Sequence, residues 1–585
     1  MLKLFKNLKK TEWVLAFISL VFIVVQVWLD LTMPEYMAEI TSLVQMEGST
    51  MEEILSAGGK MLLCALGSLA ASIVTAVCAA RIATTFGGTL REKLFRKVQS
   101  FSMEEIGHFS TASLITRSTN DITQIQMLIA MGLQMLVKAP ITAVWAILKI
   151  ADKQWQWTIT TGMAVLVLLF IVGISLVLTV PKFKKVQVYT DNLNRVTREN
   201  LTGLRVVRAY NAEKYQEEKF EHANRELTST NLFTQRAMSF MMPSIQFVMS
   251  GLTLAIYWIG AVLINEARMV GKIDLFSDMM VFSQYAMQVV MAFMMLVMIF
   301  MLLPRATVSA RRIGEVLDTE PSIIDGTKAE GQKGMTGEVV FKDVSFRYPD
   351  AGDCVLQNIT FTAKKGETVA LIGSTGCGKT TLINLIPRFY DATEGQIFVD
   401  GTDVREYTQE SLRAKIGYVS QKATLFTGTI RSNVAYGDNG KKGVSDEDVR
   451  AAVETAQASD FVESTEKGYD GFVAQGGSNF SGGQKQRLSI ARAIARKPEI
   501  LIFDDSFSAL DYKTDRILRG TLDKVCKDVT RIIVAQRIGT IRNADKIIVL
   551  EEGKIVGMGR HEELMQNCKV YQQIALSQLS KEELA

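Results

Sequence analysis

Apolar positions in the first half of the chain gather into six long stretches, whereas the second half shows short apolar runs that alternate with polar ones. Each long stretch has about 20 residues, which is enough for a helix to cross the hydrocarbon core of a bilayer. The stretches cover residues 13–33, 58–80, 128–150, 156–180, 240–264 and 278–303. This pattern predicts an all-α transmembrane domain of six helices over residues 1–304.

From residue 335 onward the pattern changes to short runs rich in β-branched residues, separated by helical stretches and glycine-rich turns. Such alternation is typical of α/β domains. We therefore expect a linker over residues 305–334 and an α/β domain over residues 335–585. A chain of 585 residues is too long for a single hydrophobic core, which agrees with this division.

Basic residues are concentrated in two long polar segments, 81–127 and 181–239, whereas the short segments after the first and fifth spans hold only Arg268 and Lys272. Cytoplasmic loops of membrane proteins are enriched in lysine and arginine. We therefore expect a multi-pass membrane protein whose orientation follows from these loops. Both termini, both long segments and the α/β domain should lie in the cytoplasm.

The two long polar segments are rich in helix-forming residues and poor in proline, so we expect them to continue the spans as helices. Each should turn back through a short contact segment, for which residues 108–121 and 199–215 are the candidates. Two interpretations stay open. The segments are either solvated helical hairpins, or they dock onto the soluble domain and relay its motion.

Cysteine usage gives no sign of a structural metal or disulfide framework. The six cysteines are scattered along the chain, without a CxxC pair and without a histidine at ligand spacing. The three histidines are isolated in the sequence and are interpreted as ordinary packing or surface residues.

A phosphate-binding loop is predicted at LIGSTGCGKTTL, residues 371–382, which matches the pattern GxxxxGK[ST]. The pattern follows the apolar run TVALI and opens a helical stretch, as a P-loop requires. Its glycines allow backbone N–H groups to surround phosphates, and the lysine reaches the β and γ oxygens. The hydroxyl of the threonine after that lysine is a magnesium ligand. The residues concerned are Gly373, Gly378, Lys379 and Thr380.

A second element is the run ILIFD, which ends in two adjacent acids, Asp504 and Asp505. Between the P-loop and this run stands NFSGGQKQR, residues 479–487. The order GSTGCGKT, VSQ, FSGGQ, IFDD, SALD resembles the nucleotide-binding domain of ABC transporters. Six spans in front of one such domain resemble a half-size ABC exporter of the type IV fold. The resemblance covers essentially the whole chain.

The resemblance implies that the chain binds ATP and Mg²⁺. It makes Tyr348 the aromatic side chain that stacks on adenine, and it implies that Ser481 to Gln484 face ATP held by a second domain. The magnesium site would be formed by Thr380, Gln421 and Asp504. The ATP-binding residues that it implies are Tyr348, Gly373, Ser374, Thr375, Gly376, Cys377, Gly378, Lys379, Thr380, Thr381, Gln421, Ser481, Gly482, Gly483, Gln484 and Asp511.

Two positions depart from the family pattern, and both concern the hydrolytic step. Asp505 stands where a catalytic glutamate is usual, and Gln536 stands where a histidine is usual. The aspartate carboxylate lies about 1.5 Å further back, the length of one C–C bond. Small misplacements of this size reduce rates on the order of 10²-fold. Glutamine can donate a hydrogen bond but cannot carry positive charge. We expect this site to bind ATP and to hydrolyse it slowly.

The intact ATP-binding elements and the two departures together indicate the degenerate-site half of a heterodimeric, multidrug-type exporter. Its partner would be a second half-transporter with the consensus glutamate and histidine, and hydrolysis would take place mainly at the site completed by that partner. Two alternatives stay open: a homodimeric exporter, and an ATP-gated regulator or channel that does not pump. No nucleic-acid partner is expected.

The last span carries a methionine stripe, from which we infer a hydrophobic or amphipathic substrate, because methionine repacks around apolar guests of different shapes. The stripe could equally be a lipid-facing or helix-packing seam. Lys138 in the third span either extends toward the cytoplasmic surface or faces the cavity, where it would favour anionic or amphipathic compounds. The stripe consists of Met280, Met287, Met291, Met294, Met298 and Met301.

Overall fold

The structure is a computed structural model that describes residues 4, 6, 8–46, 49–151, 153–267, 269–349, 351–437 and 443–578. The chain forms two compact units. One consists of Met1–Gln99 and Ala112–Thr319, and the other of Ser100–Thr111 and Glu320–Ala585. The second unit therefore includes a short piece of the first half of the chain.

The described residues of the first half of the chain are mostly helical, with short breaks between helices. Its helices are α1 (Lys10–Gln45), α2 (Met51–Gln99), α3 (Met103–Phe109), α4 (Thr111–Thr116), a π-helical turn (Arg117–Asp121), α5 (Ile122–Ala151), α6 (Trp155–Thr202), α7 (Leu204–Ala209), α8 (Glu213–Glu266) and α9 (Met269–Asp318). Six of these segments are long and apolar enough to cross a membrane, and each contains one predicted stretch. The predicted six-helix transmembrane domain is confirmed.

The long helices extend well beyond the length that a bilayer requires. Helices α2, α6 and α8 have 49, 48 and 54 residues, whereas about 20 residues cross the hydrocarbon core. Their polar ends are the helical continuations predicted for the long basic segments. Helix α9 runs on to Asp318, so the first part of the predicted linker 305–334 is helical.

The two contact segments are short helices. Helix α7 lies within the predicted segment 199–215, whereas α3 begins earlier than the predicted segment 108–121. The reason is a capping box: the Ser102 hydroxyl accepts a hydrogen bond from the Glu104 N–H, and the Glu105 carboxylate accepts one from the Ser102 N–H at 2.7 Å. This S-x-x-E signal is present in the sequence and predicts the start of α3.

The Glu105 carboxylate also fixes α3 within the second unit. It accepts hydrogen bonds from the Ser102 hydroxyl at 2.6 Å and from the Ser322 N–H at 2.9 Å. Burial raises the pKa of Glu105, but these hydrogen bonds outweigh burial and leave its pKa below the usual value. The ionised carboxylate therefore joins residues 100–111 to the segment that leads into the soluble domain.

The soluble domain contains a six-stranded sheet of order β12-β11-β3-β10-β9-β6, a four-stranded sheet of order β2-β1-β4-β5, and the pair β7-β8. The strands are β1 (Val339–Phe346), β2 (Leu356–Ala363), β3 (Thr368–Gly373), β4 (Glu394–Val399), β5 (Thr402–Asp403), β6 (Ile416–Val419), β7 (Gly428–Thr429), β8 (Phe472–Val473), β9 (Ile500–Asp504), β10 (Thr530–Val534), β11 (Lys546–Glu551) and β12 (Lys554–Gly559).

Its helices pack around the six-stranded sheet, which confirms the predicted α/β class. They are α10 (Lys379–Leu385), α11 (Gln409–Ala414), α12 (Ile430–Val434), α13 (Asp446–Thr455), α14 (Ser459–Glu463), α15 (Gly482–Ala495), α16 (Tyr512–Val525), α17 (Ile538–Ile541), α18 (His561–Asn567) and α19 (Lys569–Gln578).

Strands β3, β9 and β10 each contain three or four consecutive apolar residues, as expected where both faces of a parallel sheet are covered. Every residue of β9 and β10 is buried. In the parallel register Val534 lies beside Asp504 on one side and Leu371 on the other. The carboxyl ends of these strands therefore meet at one edge of the sheet, which is where α/β proteins bind ligands.

Candidate nucleotide site

Predicted functional side chains from four loops gather at this edge. The P-loop follows β3, the acids Asp504 and Asp505 end β9 and follow it, Gln536 lies two residues after β10, and Gln421 lies two residues after β6. Because β3, β10, β9 and β6 are neighbours in that order, their loops are also neighbours. Residues from four separate segments of the chain thus form one site.

The P-loop takes a shape that requires glycine at two positions. Gly373 has φ +155°, and a Cβ there would lie 2.0 Å from the Leu550 carbonyl oxygen. Gly378 has φ +98°, a left-handed conformation, and it directly precedes the first residue of α10. These conformations turn the chain sharply between β3 and α10, so that Ser374, Thr375 and Gly376 are exposed at the turn.

Lys379 lies at the centre of the loop and is only 9% exposed. Its ammonium donates hydrogen bonds to the carbonyl oxygens of Gly373 at 2.8 Å and Ser374 at 2.7 Å. These contacts hold the positive charge inside the curve of the loop. A phosphate bound by the backbone N–H groups of the loop would therefore lie close to the Lys379 ammonium.

Thr380 and Asp504 form an oxygen pair suited to magnesium. The Thr380 hydroxyl donates to Asp504 Oδ1 at 2.9 Å, and Asp504 is buried at the end of β9. Burial raises the pKa of Asp504, an effect that the Thr380 hydrogen bond partly offsets. Mg²⁺ prefers oxygen ligands and is usually held by one or two protein groups together with phosphates and water. Across the described part of the chain no cluster of three His, Cys, Asp or Glu residues could hold a metal alone.

Asp505 and Gln536, the two positions that depart from the family pattern, are in direct contact. Gln536 Nε2 donates to Asp505 Oδ2 at 2.9 Å, and Gln421 Nε2 donates to the same oxygen at 3.3 Å. Asp505 is 8% exposed and has φ +47°, a left-handed conformation that aspartate tolerates better than most residues. Burial raises its pKa, partly offset by hydrogen bonds that include the one from Gln421. The Asp505 carboxylate thus connects the loop after β6 with the loop after β10.

Tyr348 lies beside the P-loop helix. Its hydroxyl is 3.0 Å from the Thr381 hydroxyl, and its half-buried ring meets the rings of Phe346 and Tyr390 edge to face. These contacts fix the ring next to the phosphate loop, a position compatible with stacking on the base of a nucleotide. The assignment of Tyr348 to adenine stays a prediction.

The segment FSGGQ forms the start of α15. Ser481 and Gln484 make a capping box, in which the Gln484 N–H donates to the Ser481 hydroxyl and the Ser481 N–H donates to Gln484 Oε1. Ser481 and Gly482 are exposed, and a Cβ at Gly482 would meet no atom within 4 Å. No hydrogen bond between described residues joins this segment to the P-loop of the same chain.

Asp511 also has a structural role within the chain. Its carboxylate accepts the Thr514 N–H at 2.9 Å and caps α16, and such hydrogen bonds lower the pKa of Asp511. The side chain is exposed at the surface. This capping hydrogen bond does not test the predicted contact of Asp511 with a nucleotide, which stays a prediction.

The polar contact among Asp505, Gln421 and Gln536 is the main feature of the site that the sequence did not predict. The sequence also did not predict an exposed aromatic pair, Phe426 and Tyr436, whose rings stack at 4.5 Å. The Arg492 guanidinium lies over both rings and donates to the Asn433 carbonyl at 2.8 Å. The only sequence signal for this pair is two aromatic residues within a polar loop region.

Cys377 provides a direct test of the loop. Its Sγ is buried and lies 3.5 Å from the Lys379 ammonium. A small thiol reagent that modifies Cys377 should displace this ammonium and block ATP binding, and bound ATP should slow the modification. Nucleotide binding would be measured after mass mapping, with modification of the exposed Cys354 as the control. Normal binding by protein modified at Cys377 would contradict this placement.

Comparisons with known proteins agree with this architecture. The family "ABC transporter transmembrane region" matches residues 16–293, and the family "ABC transporter" matches residues 356–508. An uncharacterized ABC transporter ATP-binding protein of Mycobacterium bovis is 39% identical over 529 residues, which cover 90% of this chain and 88% of that protein.

Two further similarities cover most of the chain. An ATP-dependent lipid A-core flippase of Syntrophus aciditrophicus is 32% identical over 485 residues, which cover 81% of this chain and 78% of that protein. The solved structure of a bacterial Atm1-family ABC exporter with ATP bound superimposes with a TM-score of 0.79 over 98% of this chain and 99% of that one, at 23% identity. The fold is therefore that of an ABC exporter.

Proposed function

Because this chain belongs to the ABC transporter family and carries both the membrane region and the ATPase domain, we propose that it is one half of an ATP-driven heterodimeric exporter. It is a multi-pass membrane protein whose family membership implies ATP binding, normally with Mg²⁺. In this proposal its own nucleotide site holds ATP for a long time, and hydrolysis takes place mainly at the site that it completes for its partner.

The observation that carries the proposal is the hydrogen bonding of Asp505. One of its oxygens accepts from both Gln536 and Gln421, so the carboxylate is directed at these two amides. A general base needs an acceptor within hydrogen-bond reach of the attacking water. The short side chain and its two amide donors both oppose that arrangement. Gln536 cannot supply the positive charge that stabilises the transferring phosphoryl group.

The ATP-binding elements are intact beside this impaired hydrolytic element. Lys379 is held in the loop, and Thr380 and Asp504 are paired for magnesium. Slow hydrolysis at an intact binding site supports a role as an ATP clamp. The exposed Ser481 and Gly482 supply the surface that would complete the partner's site, because the partial positive charge and N–H groups of a helix start favour the γ-phosphate.

Several features support export of hydrophobic or amphipathic compounds from the cytoplasm. We place the protein in the plasma membrane. The basic residues of the segments 81–127 and 181–239 favour a cytoplasmic position for those segments and for the soluble domain. One relative bears the name of a lipid flippase, and the fold is that of an exporter. The substrate proposed here is accordingly a small compound with a substantial apolar part.

Nucleotide trapping tests the clamp. The purified heterodimer would be loaded with a photoactivatable ATP analogue, and the ATP to ADP ratio on each subunit would be followed over time. This chain should keep triphosphate at least about tenfold longer than its partner, because a misplaced acid slows hydrolysis. The double variant Asp505→Glu with Gln536→His should shorten that time.

A matched double variant, Asp528→Glu with Gln566→His, makes the same chemical changes at two exposed positions and should leave the trapping time unchanged. Equal ATP lifetimes on the two subunits of the unaltered protein would contradict the clamp. A fully active transporter assembled from this chain alone would instead support the homodimeric alternative. ATP-driven movement of an amphiphile into inside-out vesicles separates a pump from an ATP-gated channel.

A further inference from the structure

The membrane unit contains an ion pair within its apolar spans. Lys138 of α5 donates to Asp30 Oδ2 of α1 at 3.1 Å, and each side chain is 24% exposed. Lys138 lies near the middle of the apolar stretch 128–150. Its ammonium is paired with an acid of another span.

Asp30 is the point at which four helices meet. The Ser68 hydroxyl of α2 donates to its Oδ1, and Gln288 Nε2 of α9 donates to its backbone carbonyl at 3.2 Å. With Lys138 on Oδ2, both carboxylate oxygens have donors. Lys138 has three N–H groups, and among the described residues Asp30 is its one hydrogen-bond acceptor. The Lys138 ammonium therefore has N–H groups that Asp30 does not use.

A charged side chain that contacts hydrocarbon is expensive, so ionisable groups in spans almost always face a water-filled route or another polar group. Buried ion pairs add little net stability compared with apolar residues of similar size. The exposed quarter of Lys138 and Asp30 is therefore best explained by contact with water or a polar ligand. Stability of the helix bundle alone gives no reason for the pair.

Helix α9, which contacts Asp30 through Gln288, also carries exposed apolar side chains. Met291 and Met298, seven residues apart on one helical face, are each 51% exposed, and Met291 is three residues after Gln288. Met287 and Met294 of the predicted stripe pack instead into the helix core, and the side chain of Met301 lies outside the described ones. The stripe is thus partly a packing seam and partly an exposed apolar strip.

We propose that Lys138 binds the anionic head group of an amphiphilic substrate, with the apolar part of that substrate along Met291 and Met298. Asp30 is the internal counter-ion that holds the ammonium when no substrate is bound, and the head group competes with it. The head group is a carboxylate, phosphate or sulfate. This inference rests on the proposed export function and names its substrate class.

The test compares amphiphiles that share one alkyl chain and differ in head group. The heterodimer in nanodiscs of zwitterionic lipid would be titrated with dodecyl phosphate, dodecyltrimethylammonium and dodecyl maltoside, and half-maximal stimulation of ATPase activity would be measured. Lys138→Gln should weaken the response to dodecyl phosphate about tenfold or more, since it removes a charged hydrogen bond. Responses to the other two compounds should change less than twofold.

The sign of the Asp30 effect distinguishes binding from packing. Asp30→Asn should strengthen the response to dodecyl phosphate because it removes the competing carboxylate, and Lys138→Arg should retain the anionic preference. Lys149→Gln breaks a second pair, between α5 and Glu35 of α1, and serves as the matched control without head-group selectivity. Equal losses for Lys138→Gln and Asp30→Asn with all three amphiphiles would overturn the proposal.

A further arm separates two sources of the same head-group chemistry. Adding an anionic phospholipid to the nanodiscs should reduce the effect of dodecyl phosphate if bilayer lipid itself reaches Lys138. No reduction would assign the site to single-chain amphiphiles. If unaltered protein moves no amphiphile into vesicles, the export function fails. If it moves all three compounds, and Lys138→Gln does so with unchanged head-group preference, only the present inference fails.

Discussion

Ser481→Arg should lower the steady-state ATPase activity of the assembled heterodimer on the order of 10²-fold, whereas Asp505→Asn in the same chain should leave most of the activity in place. Ser481 is exposed at the start of α15 and is proposed to face the ATP of the partner. Losing hydrogen bonds that strengthen toward the γ-phosphate in the transition state costs about 3 kcal/mol. In the proposed division of labour, Asp505 serves only the slow site.

The control must reproduce the loss of a helix cap. Ser445 is an exposed serine that caps α13 with the same capping-box geometry, and Ser445→Arg should therefore cost a similar amount of stability, about 1 kcal/mol. Its effect on ATPase activity should be small. If Asp505→Asn abolishes hydrolysis as completely as Ser481→Arg, this chain hydrolyses ATP with its short acid and the division of labour is wrong.

Lys379→Met should weaken ATP binding at this chain's site about 100-fold. The buried ammonium sits behind the exposed amides of the P-loop, and charged hydrogen bonds of this kind contribute about 1.5 to 3 kcal/mol each. Methionine has a similar volume and keeps the loop filled. Photolabelling of this subunit at increasing ATP concentration measures the change.

Lys365→Met removes an exposed lysine from the same domain and should leave the labelling curve unchanged. The clamp proposal adds an expectation for the partner. When this site loses ATP, hydrolysis at the partner's site should also fall, because two domains sandwich two nucleotides together. Unchanged affinity at this site would show that the P-loop lysine does not contact the nucleotide.

The sequence was sufficient for those features that depend on local pattern. The six spans are predicted by apolar stretches of about 20 residues, and the strand, loop and helix of the P-loop by an apolar run and turn chemistry over about ten residues. The capping box of Ser102 and Glu105 is equally local, and it predicts the start of α3 when it is read as a helix signal. Helix α3 begins before the predicted contact segment 108–121 because this capping box starts the helix at Met103.

The features that sequence could not provide are contacts between distant residues. Gln421 lies 84 residues from Asp505, and Lys138 lies 108 residues from Asp30. Gln421 and Lys138 could each have reached several partners, and the partner that each contacts depends on strand order and helix packing. Asp30 stands at the end of an apolar stretch, where an acid is ordinarily explained by the membrane surface.

Because the Glu105 carboxylate accepts a hydrogen bond from the Ser322 N–H, the soluble domain is completed by residues from a separate, earlier segment of the chain. Expressing the chain from residue 320 alone would leave out residues 100–111, and the Ser322 N–H would lose its carboxylate acceptor. Such a fragment should expose a surface that these residues cover and be prone to self-association. Supplying residues 100–111 as a synthetic peptide, or fusing them ahead of residue 320 through a flexible tether, should improve its solubility.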